Sequence, residues 1–390
     1  MFHNNMQKIL CIDFYPGFPG GEIMKAILPH WQKRGVMTPL LQIEFTKLQV
    51  PQTAERFTRY LGEQLRRQKP DLLFCIQRDI RELTARAGIS LGDTPTLTFI
   101  TDAVARIDQL KQENDFIVAW SAQMGDYLKK NGYHNVIVLP MMADSFQKGN
   151  RVPQIQCEVS FFGNCWSGGS DQREAALQFF ELRQPGLRRY TLELIDCFHQ
   201  KTIEGNIYEV FETYPPPNGI IRVDPKSLFN FILNEATTRI RVETLERLSG
   251  HNLRVFGHGW EKTDASPQLR ECFFPGLFIR EQPHIFASSK INLNIANPAH
   301  WAAPTNRFFN IPASGELECC EWSDGMETFL RPDEEMCYFN GPDDIADRVS
   351  AILACREDYS AQIAAAQRQI SERFNYAQWV EQLFKQWGER

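Results

Sequence analysis

The chain predicts an α/β fold built from two Rossmann-like halves. Three observations carry this expectation. Through residue 139, short apolar runs alternate with longer amphipathic stretches, the order that builds a parallel sheet covered by helices on both faces. Residues 140–154 (PMMADSFQKGNRVPQ) break the alternation with a glycine and two prolines, as an interdomain linker does. From residue 157 a second series of strand-like runs begins, and two of them, CEVSFF and NLRVF, run directly into glycine. Glycine at the carboxyl end of a strand lets a ligand approach the backbone.

In the first half, residues 8–15 (KILCIDFY) read as a buried strand and 16–21 (PGFPGG) as a tight turn, with a helix from 22 to 34. Gly17, Gly20 and Gly21 lack the G-x-G-x-x-G spacing of a dinucleotide-binding turn. The turn either needs glycine for its tightness alone or brings its backbone to a phosphate or an acceptor. Further strands are expected at 39–45, 71–77, 96–101, 116–121 and 136–139, with helices at 53–68, 78–87 and 122–131. Asp102 stands just past one of these strands. It reads either as the N-cap of a helix starting at Ala103 or as a cleft residue that binds a hydroxyl or acts as a general base. Asp13, near the end of the first strand, has a weaker form of the same claim.

The second half opens with a strand at 157–162, the turn Gly163-Asn164-Cys165-Trp166, and a helix at 172–182 with Arg173 at its start. A glycine turn before a helix offers backbone N–H groups to phosphate. Helices follow at 192–199 and 225–248; Arg239 and Arg241 on the latter are expected at the surface. A strand at 252–256 ends in Gly257-His258-Gly259-Trp260. His258 reads either as a contact to a diphosphate or sugar or as an exposed loop residue, and Trp260 as packing beneath the loop. After a helix at 283–289, residues 291–295 (INLNI) alternate strictly and so predict a half-buried strand. A loop at 297–305 leads into a short helix, 306–315, closed by Gly315. A strand at 317–320 ends on Glu321, with Glu316 and Glu318 expected to be exposed. A strand at 337–339 and helices at 343–354, 359–374 and 376–387 complete the chain, with Phe384 and Trp387 as packing residues.

Composition narrows the function classes. With 390 residues, 43% hydrophobic and 23% charged, the chain is an ordinary globular protein of two or three domains. A formal net charge of -6 argues against a nucleic-acid binder. No stretch has the length of a transmembrane helix, and the first residues lack the apolar run of a signal peptide. The ten cysteines are scattered, apart from Cys319-Cys320, and none forms a C-x-x-C pair, so neither a zinc site nor a disulfide framework is expected.

The stretches SKINLNI, NRFFNIPASGELECCE and GMETFLRPDEEMCYFNGPDDIADRVSAIL resemble the C-terminal half of the CgeB-type bacterial glycosyltransferases. The Arg-x-Phe-x-x-Pro-Ala-Ser-Gly core from Arg307 to Gly315 is the most specific part. The resemblance implies the GT-B fold, related to the family-4 retaining transferases. Two Rossmann-like domains would face each other across a cleft, with the last helix crossing back to the first. The expected domains are then 1–150 for the acceptor, 151–365 for a nucleotide-sugar donor, and 366–390 for the returning helix. Arg307 would stabilise the departing diphosphate, its other reading being a salt bridge to Glu321. Asn306, Asn310, Ser314, Gly315, Gly163, Asn164, Gly257 and His258 would surround the donor, with Ser314 and Gly315 adding backbone donors. Relatives carry Glu where this chain has Asn310, and there it holds the ribose hydroxyls; Asn keeps a donor and an acceptor without the charge.

The resemblance further implies retention of configuration, no metal or cofactor, and a saccharide, lipid-linked or protein acceptor in polysaccharide biosynthesis. The scattered cysteines fit a cytoplasmic protein, with contact at the inner face of the membrane left open. A nucleotide-sugar epimerase on the same fold, or a degenerate sugar-binding scaffold, stays open beside it.

Overall fold

The structure, a computed structural model, describes residues 6–14, 19–43, 51–77, 81, 84–85, 89–101, 113–143, 148–166, 169–274, 281–301 and 303–388. The chain divides into two compact units, Met1–Asp144 with Phe374–Arg390, and Ser145–Arg373.

The first unit holds β1 (Ile9–Asp13), β2 (Leu40–Gln42), β3 (Leu72–Ile76), β4 (Thr96–Phe99), β5 (Asp115–Ala119) and β6 (Asn135–Val138). They form one parallel sheet in the order β2-β1-β3-β4-β5-β6. Every residue of β1, β3 and β4 is buried, which is why ILCID and LLFCI read as continuous apolar runs. The helices α1 (Pro19–Lys33), α2 (Pro51–Gln68) and α3 (Ala122–Lys130) connect strands of this sheet. Ser121 does not end a strand as expected; its Oγ accepts from the Met124 N–H at 3.2 Å and caps α3.

Two expectations for this unit change. Helix α1 starts at Pro19, so Gly20 and Gly21 lie in its first turn and not in a separate tight turn before it. Proline suits a first helical position, where the missing N–H has no partner to lose. Part of the expected linker is core: Met141, Met142 and Ala143 are buried, and Ala143 bridges to Asn375. Gly17 and Asp102 lie outside the described residues. The final helix, Tyr376–Gly388, belongs to this unit. Trp379 meets Phe99 at 5.0 Å between ring centroids, Trp387 meets Phe116 at 4.7 Å, and Arg34 lies 5.0 Å over Phe384. Each buried aromatic of this kind contributes roughly 1.5–3 kcal/mol of apolar burial.

The second unit holds β7 (Cys157–Phe162), β8 (Leu253–Phe256), β9 (Phe273–Phe274), β10 (Ser289–Asn294), β11 (Glu318–Glu321) and β12 (Cys337–Phe339). These also pair in parallel, in the order β12-β11-β10-β7-β8-β9. Around them lie α4 (Gly169–Arg183), α5 (Leu187–His199), α6 (Val210–Thr213), α7 (Pro225–Glu246), α8 (Pro267–Glu271), α9 (Gln282–Ala287), α10 (Asn306–Ala313), α11 (Pro342–Ala354) and α12 (Ser360–Arg373). Strands β7, β8 and β9 are laid down in one direction, and β10 returns to the other side of β7. The order therefore reverses between β7 and β10, and the crevice beyond their carboxyl ends is where open parallel sheets bind ligands.

Strand β10 is not half-buried. Its alternation is real, with Ile291 and Leu293 in the core on one face, but Asn292 and Asn294 on the other face are 1% and 3% exposed. A strand between two parallel neighbours is covered on both faces. The asparagines survive there because they are hydrogen-bonded. Asn292 accepts from Ser160 Oγ at 2.7 Å and donates to the carbonyls of Phe286 and Leu317 at 3.3 and 3.2 Å.

Candidate functional site

At the switch point of the second sheet, the loops after β7 and β8 are bonded to each other. Gly163 N–H donates to the Phe256 carbonyl at 2.9 Å, and Cys165 N–H to the His258 carbonyl at 2.8 Å. His258 N–H donates to Asn164 Oδ1 at 3.0 Å, and Trp260 Nε1 to the Gly163 carbonyl at 2.7 Å. So close an approach requires glycine. A Cβ on Gly257, whose φ is +134°, would lie 2.2 Å from the Gly163 oxygen. A Cβ on Gly163 would lie 2.6 Å from Arg307 Nη1. Gly163, Asn164, Gly257 and His258 are thus one constellation, and Arg307 reaches it. Trp260 packs beneath it as expected, 2% exposed.

Arg307 is the second residue of α10, whose N-cap Thr305 makes no side-chain cap. Its Nη1 donates to the Phe162 carbonyl, and its guanidinium lies 5.5 Å from the Phe161 ring centroid. A second guanidinium, Arg241 of α7, lies 5.4 Å from the same ring. Arg241 Nη1 donates to the Asn164 carbonyl at 2.6 Å and Nη2 to the Ile295 carbonyl at 3.4 Å. It thereby ties the loop after β7 to the loop after β10, across the switch point. Both cations gain from the ring face. Among the described residues neither arginine makes an ion pair with a carboxylate.

Burial and neighbouring charge shift the ionisable groups of this region. Burial, followed by the charge of Arg307, pushes Arg241 down to about 9. Burial pushes Arg307 down to about 10 against the opposing pull of Glu318. Both remain charged at neutral pH. Burial and then the two guanidiniums push His300, in the loop after β10, down to about 3. Burial does most of this, and the two guanidiniums add a positive potential to it.

Beneath the arginines lie two carboxylates. Glu318, expected to be exposed, is 2% exposed because β11 is covered on both faces. Its Oε1 accepts from Asn294 Nδ2 at 2.8 Å, and burial pushes its carboxyl up to about 8. Glu321 is fully buried, accepts from Ala296 N–H at 3.2 Å and pairs with Lys201 Nζ at 2.9 Å. The Arg307–Glu321 salt bridge that the sequence allows is therefore not the arrangement found.

The remaining expected residues separate. Asn306 opens α10 beside Arg307, and Asn310 is buried one turn further on. Ser314 and Gly315 lie at the opposite end of that helix, roughly 11 Å along its axis from Arg307. Their N–H groups are committed to the carbonyls of Asn310 at 3.1 Å and Pro312 at 2.9 Å, so they offer a ligand nothing at the switch point. Small residues are needed there because this end packs on α12: a Cβ on Gly315 would lie 3.3 Å from Gln367 Nε2. Arg173, at the start of α4, lines a cavity of about 250 Å³ with His199, Glu235 and Asp264, and pairs with Asp264 at 3.3 Å. Its charge is answered within the protein.

Arg241, expected at the surface, is instead 5% exposed. The sequence carries a signal for it. Arg241 falls four residues after Thr237, eight after Leu233 and four before Leu245, on the buried stripe of α7. An arginine on such a stripe is placed there for its charge.

Among the described residues no group of three or more His, Cys, Asp or Glu side chains could hold a metal ion. Nor is any described helix long and apolar enough to cross a membrane.

Residues 238–385, which include Arg241 and Arg307, match a protein family described as glycosyl transferase-like. No curated protein matches the chain. Among solved structures, the chain is similar to a sucrose-phosphate synthase from Thermosynechococcus elongatus, with a TM-score of 0.56 at 10% identity over 98% of this chain and 99% of that one. It is also similar to an Anabaena protein, HepE, solved with UDP-glucose, with a TM-score of 0.49 at 11% identity over 98% and 100% of the two chains. A glycosyltransferase from Rickettsia africae gives 0.48 at 10% identity over 98% of each. At such identities the likeness is one of fold, and the fold is GT-B: two parallel α/β units, with the final helix returned to the first.

Proposed function

We propose that this chain is a glycosyltransferase whose second unit binds a nucleoside-diphosphate sugar, with the diphosphate on Arg307 and Arg241. One observation carries the reading: a buried and a half-buried guanidinium, bonded to carbonyls and not to carboxylates, meet at the switch point of a parallel sheet beside two glycine loops. Such a place favours phosphate through backbone N–H groups and fixed cations. The glycosyl transferase-like match over residues 238–385 supports it, because it spans both arginines.

In this reading the diphosphate oxygens accept from the guanidiniums in a geometry set before substrate arrives. When the bond from the anomeric carbon to the diphosphate breaks, the electron pair leaves with the phosphate oxygen. Two fixed cations stabilise that charge without reorganising. Asn310 would offer the ribose hydroxyls a neutral partner. A glycan, lipid-linked sugar or protein hydroxyl attacks the sugar and gives its proton to the departing diphosphate, and the first unit supplies its site. Retention, independence from metals and cofactors, and a cytoplasmic setting near the membrane belong to the same proposal.

A thermal-shift and calorimetric panel of uridine, guanosine, thymidine and cytidine diphosphates and their sugars tests it. One nucleoside diphosphate is expected to raise the melting temperature, and Arg307→Ala to weaken it at least about a hundredfold. Undiminished affinity in Arg307→Ala would remove the phosphate assignment. Acceptor-dependent turnover then separates transfer from epimerisation.

A further inference from the structure

The floor of the arginine site carries an acid that the diphosphate reading does not use. Glu318 projects from β11 into a buried polar chain. Its Oε1 accepts from Asn294 Nδ2 at 2.8 Å, and the same Nδ2 reaches Thr305 Oγ1 at 3.5 Å. Thr305 is the N-cap of α10, two residues before Arg307. β10, β11 and the N-cap of α10 are therefore joined through the Asn294 amide, and the Glu318 carboxyl bonded to it also lies within the electrostatic reach of the Arg307 guanidinium.

We propose that Glu318 is a positioning residue for Arg307, acting through Asn294 and Thr305 on the first turn of α10 and, from beneath, on the net charge that Arg307 presents to a diphosphate. The proposal rests on the reading of this site as a diphosphate site. The groups around Glu318 are Asn294 from β10, Cys319 and Cys320 from β11, Arg307 from α10 and Tyr338 from β12. Burial pushes the Cys320 thiol and the Tyr338 phenol well up, away from the neutral range. Glu318 itself, pushed up to about 8, is a neutral acid at pH 7 and a carboxylate in mild alkali. In the neutral form Arg307 keeps its whole charge for a ligand anion. In the ionised form a negative charge sits beneath it and weakens that attraction.

The experiment measures the affinity of the tightest-binding nucleoside diphosphate of the panel, and of inorganic pyrophosphate, by calorimetry from about pH 7 to about pH 8.5, below the value of about 9 to which burial lowers Arg241. Wild-type affinity is expected to fall about threefold across that range. Glu318→Gln keeps the shape and the acceptor for Asn294 but cannot ionise. It is expected to match wild type within about twofold at neutral pH and to lose the alkaline fall. Glu318→Ala, which strands Asn294, is expected to weaken binding at every pH, with Glu318→Gln as the rescued form. An unchanged alkaline fall in Glu318→Gln, or equal binding by the Gln and Ala variants, would overturn the proposal. Should no diphosphate bind wild type, the transferase reading fails by itself, and Glu318 is then read in the free protein by NMR of carboxyl-labelled glutamate. The resonance absent from Glu318→Gln is expected to titrate near 8 and to move higher in Arg307→Gln. Titration in the ordinary carboxylate range, or indifference to Arg307→Gln, overturns the proposal without reference to any ligand.

Discussion

Each unit buries an arginine, and the two are answered differently. In the first unit Arg81, 8% exposed, donates through Nε to the Asp115 carboxylate at the start of β5 and through Nη2 to the Thr94 carbonyl at 3.1 Å. Thr96 Oγ1 adds a bond to the same carboxylate at 2.7 Å. In the second unit Arg241, 5% exposed, has only carbonyl partners among its hydrogen bonds. Desolvating a cation is costly in both places. A counter-charge answers it in the first, and carbonyl dipoles answer it in the second. The first solution leaves no net charge. The second leaves a buried positive charge held by dipoles alone among its hydrogen bonds, the arrangement that the proposed diphosphate site uses.

That contrast predicts opposite phenotypes. Arg81→Met should strand the buried Asp115 charge and destabilise the first unit by about 3–5 kcal/mol, with nucleotide affinity in the folded protein unchanged. Arg241→Met leaves two carbonyls without donors and should cost less, about 1–3 kcal/mol, while weakening nucleotide binding at least about tenfold. Denaturant unfolding and calorimetry on the two variants decide the matter. The comparison breaks if the affinity loss follows Arg81.

A smaller effect sharpens the geometric half of the argument. Gly257→Ala places a Cβ against the Gly163 oxygen at a positive φ. It should cost about 1–3 kcal/mol in strain and relaxation and lower nucleotide affinity by moving the Gly163 loop away from Arg307. Normal stability and affinity in that variant would show that the two loops need not touch.

The smallest expected effect is a pH slope in stability. Glu318 has a folded value raised from 4.5 to about 8, so its proton is held more tightly in the folded state. Its contribution is complete below 4.5 and is lost as pH rises through 8. His300 has a folded value lowered from 6.5 to about 3, so it destabilises the fold as pH falls from 6.5 toward 3. The two slopes oppose each other between 4.5 and 6.5, and only the Glu318 slope remains from 6.5 to 8. Stability of the second unit should then fall by about 1 kcal/mol over that upper window, and Glu318→Gln should flatten it.

Much of this architecture is legible in the amino-acid pattern. The apolar runs of the first half and the glycine-terminated strands of the second appear as strands, each within a few residues of its expected place. The motif around Arg307 locates the residue that reaches the Gly163 loop. The pattern misleads at polar residues in buried places. INLNI reads as a strand with one wet face, yet Asn292 and Asn294 are buried. Polarity alone puts Glu318 and Arg241 in water, and both are in the interior. Ser314 and Gly315 share a motif with Arg307 but not its role, because one helix length separates them.

The sequence by itself determined the local matters: the periods of the strands and helices, the glycines that permit close approach, and a permanent cation at position 307. Those follow from backbone sterics and side-chain chemistry, which neighbours in the chain already set. Only the tertiary structure decided which polar side chains lose their water. Alternation says that a strand has two different faces, but whether the polar one is covered depends on the strands and helices packed against it. Two arginines from distant helices came together because the strand order reverses between β7 and β10, and that reversal is a property of the assembled sheet.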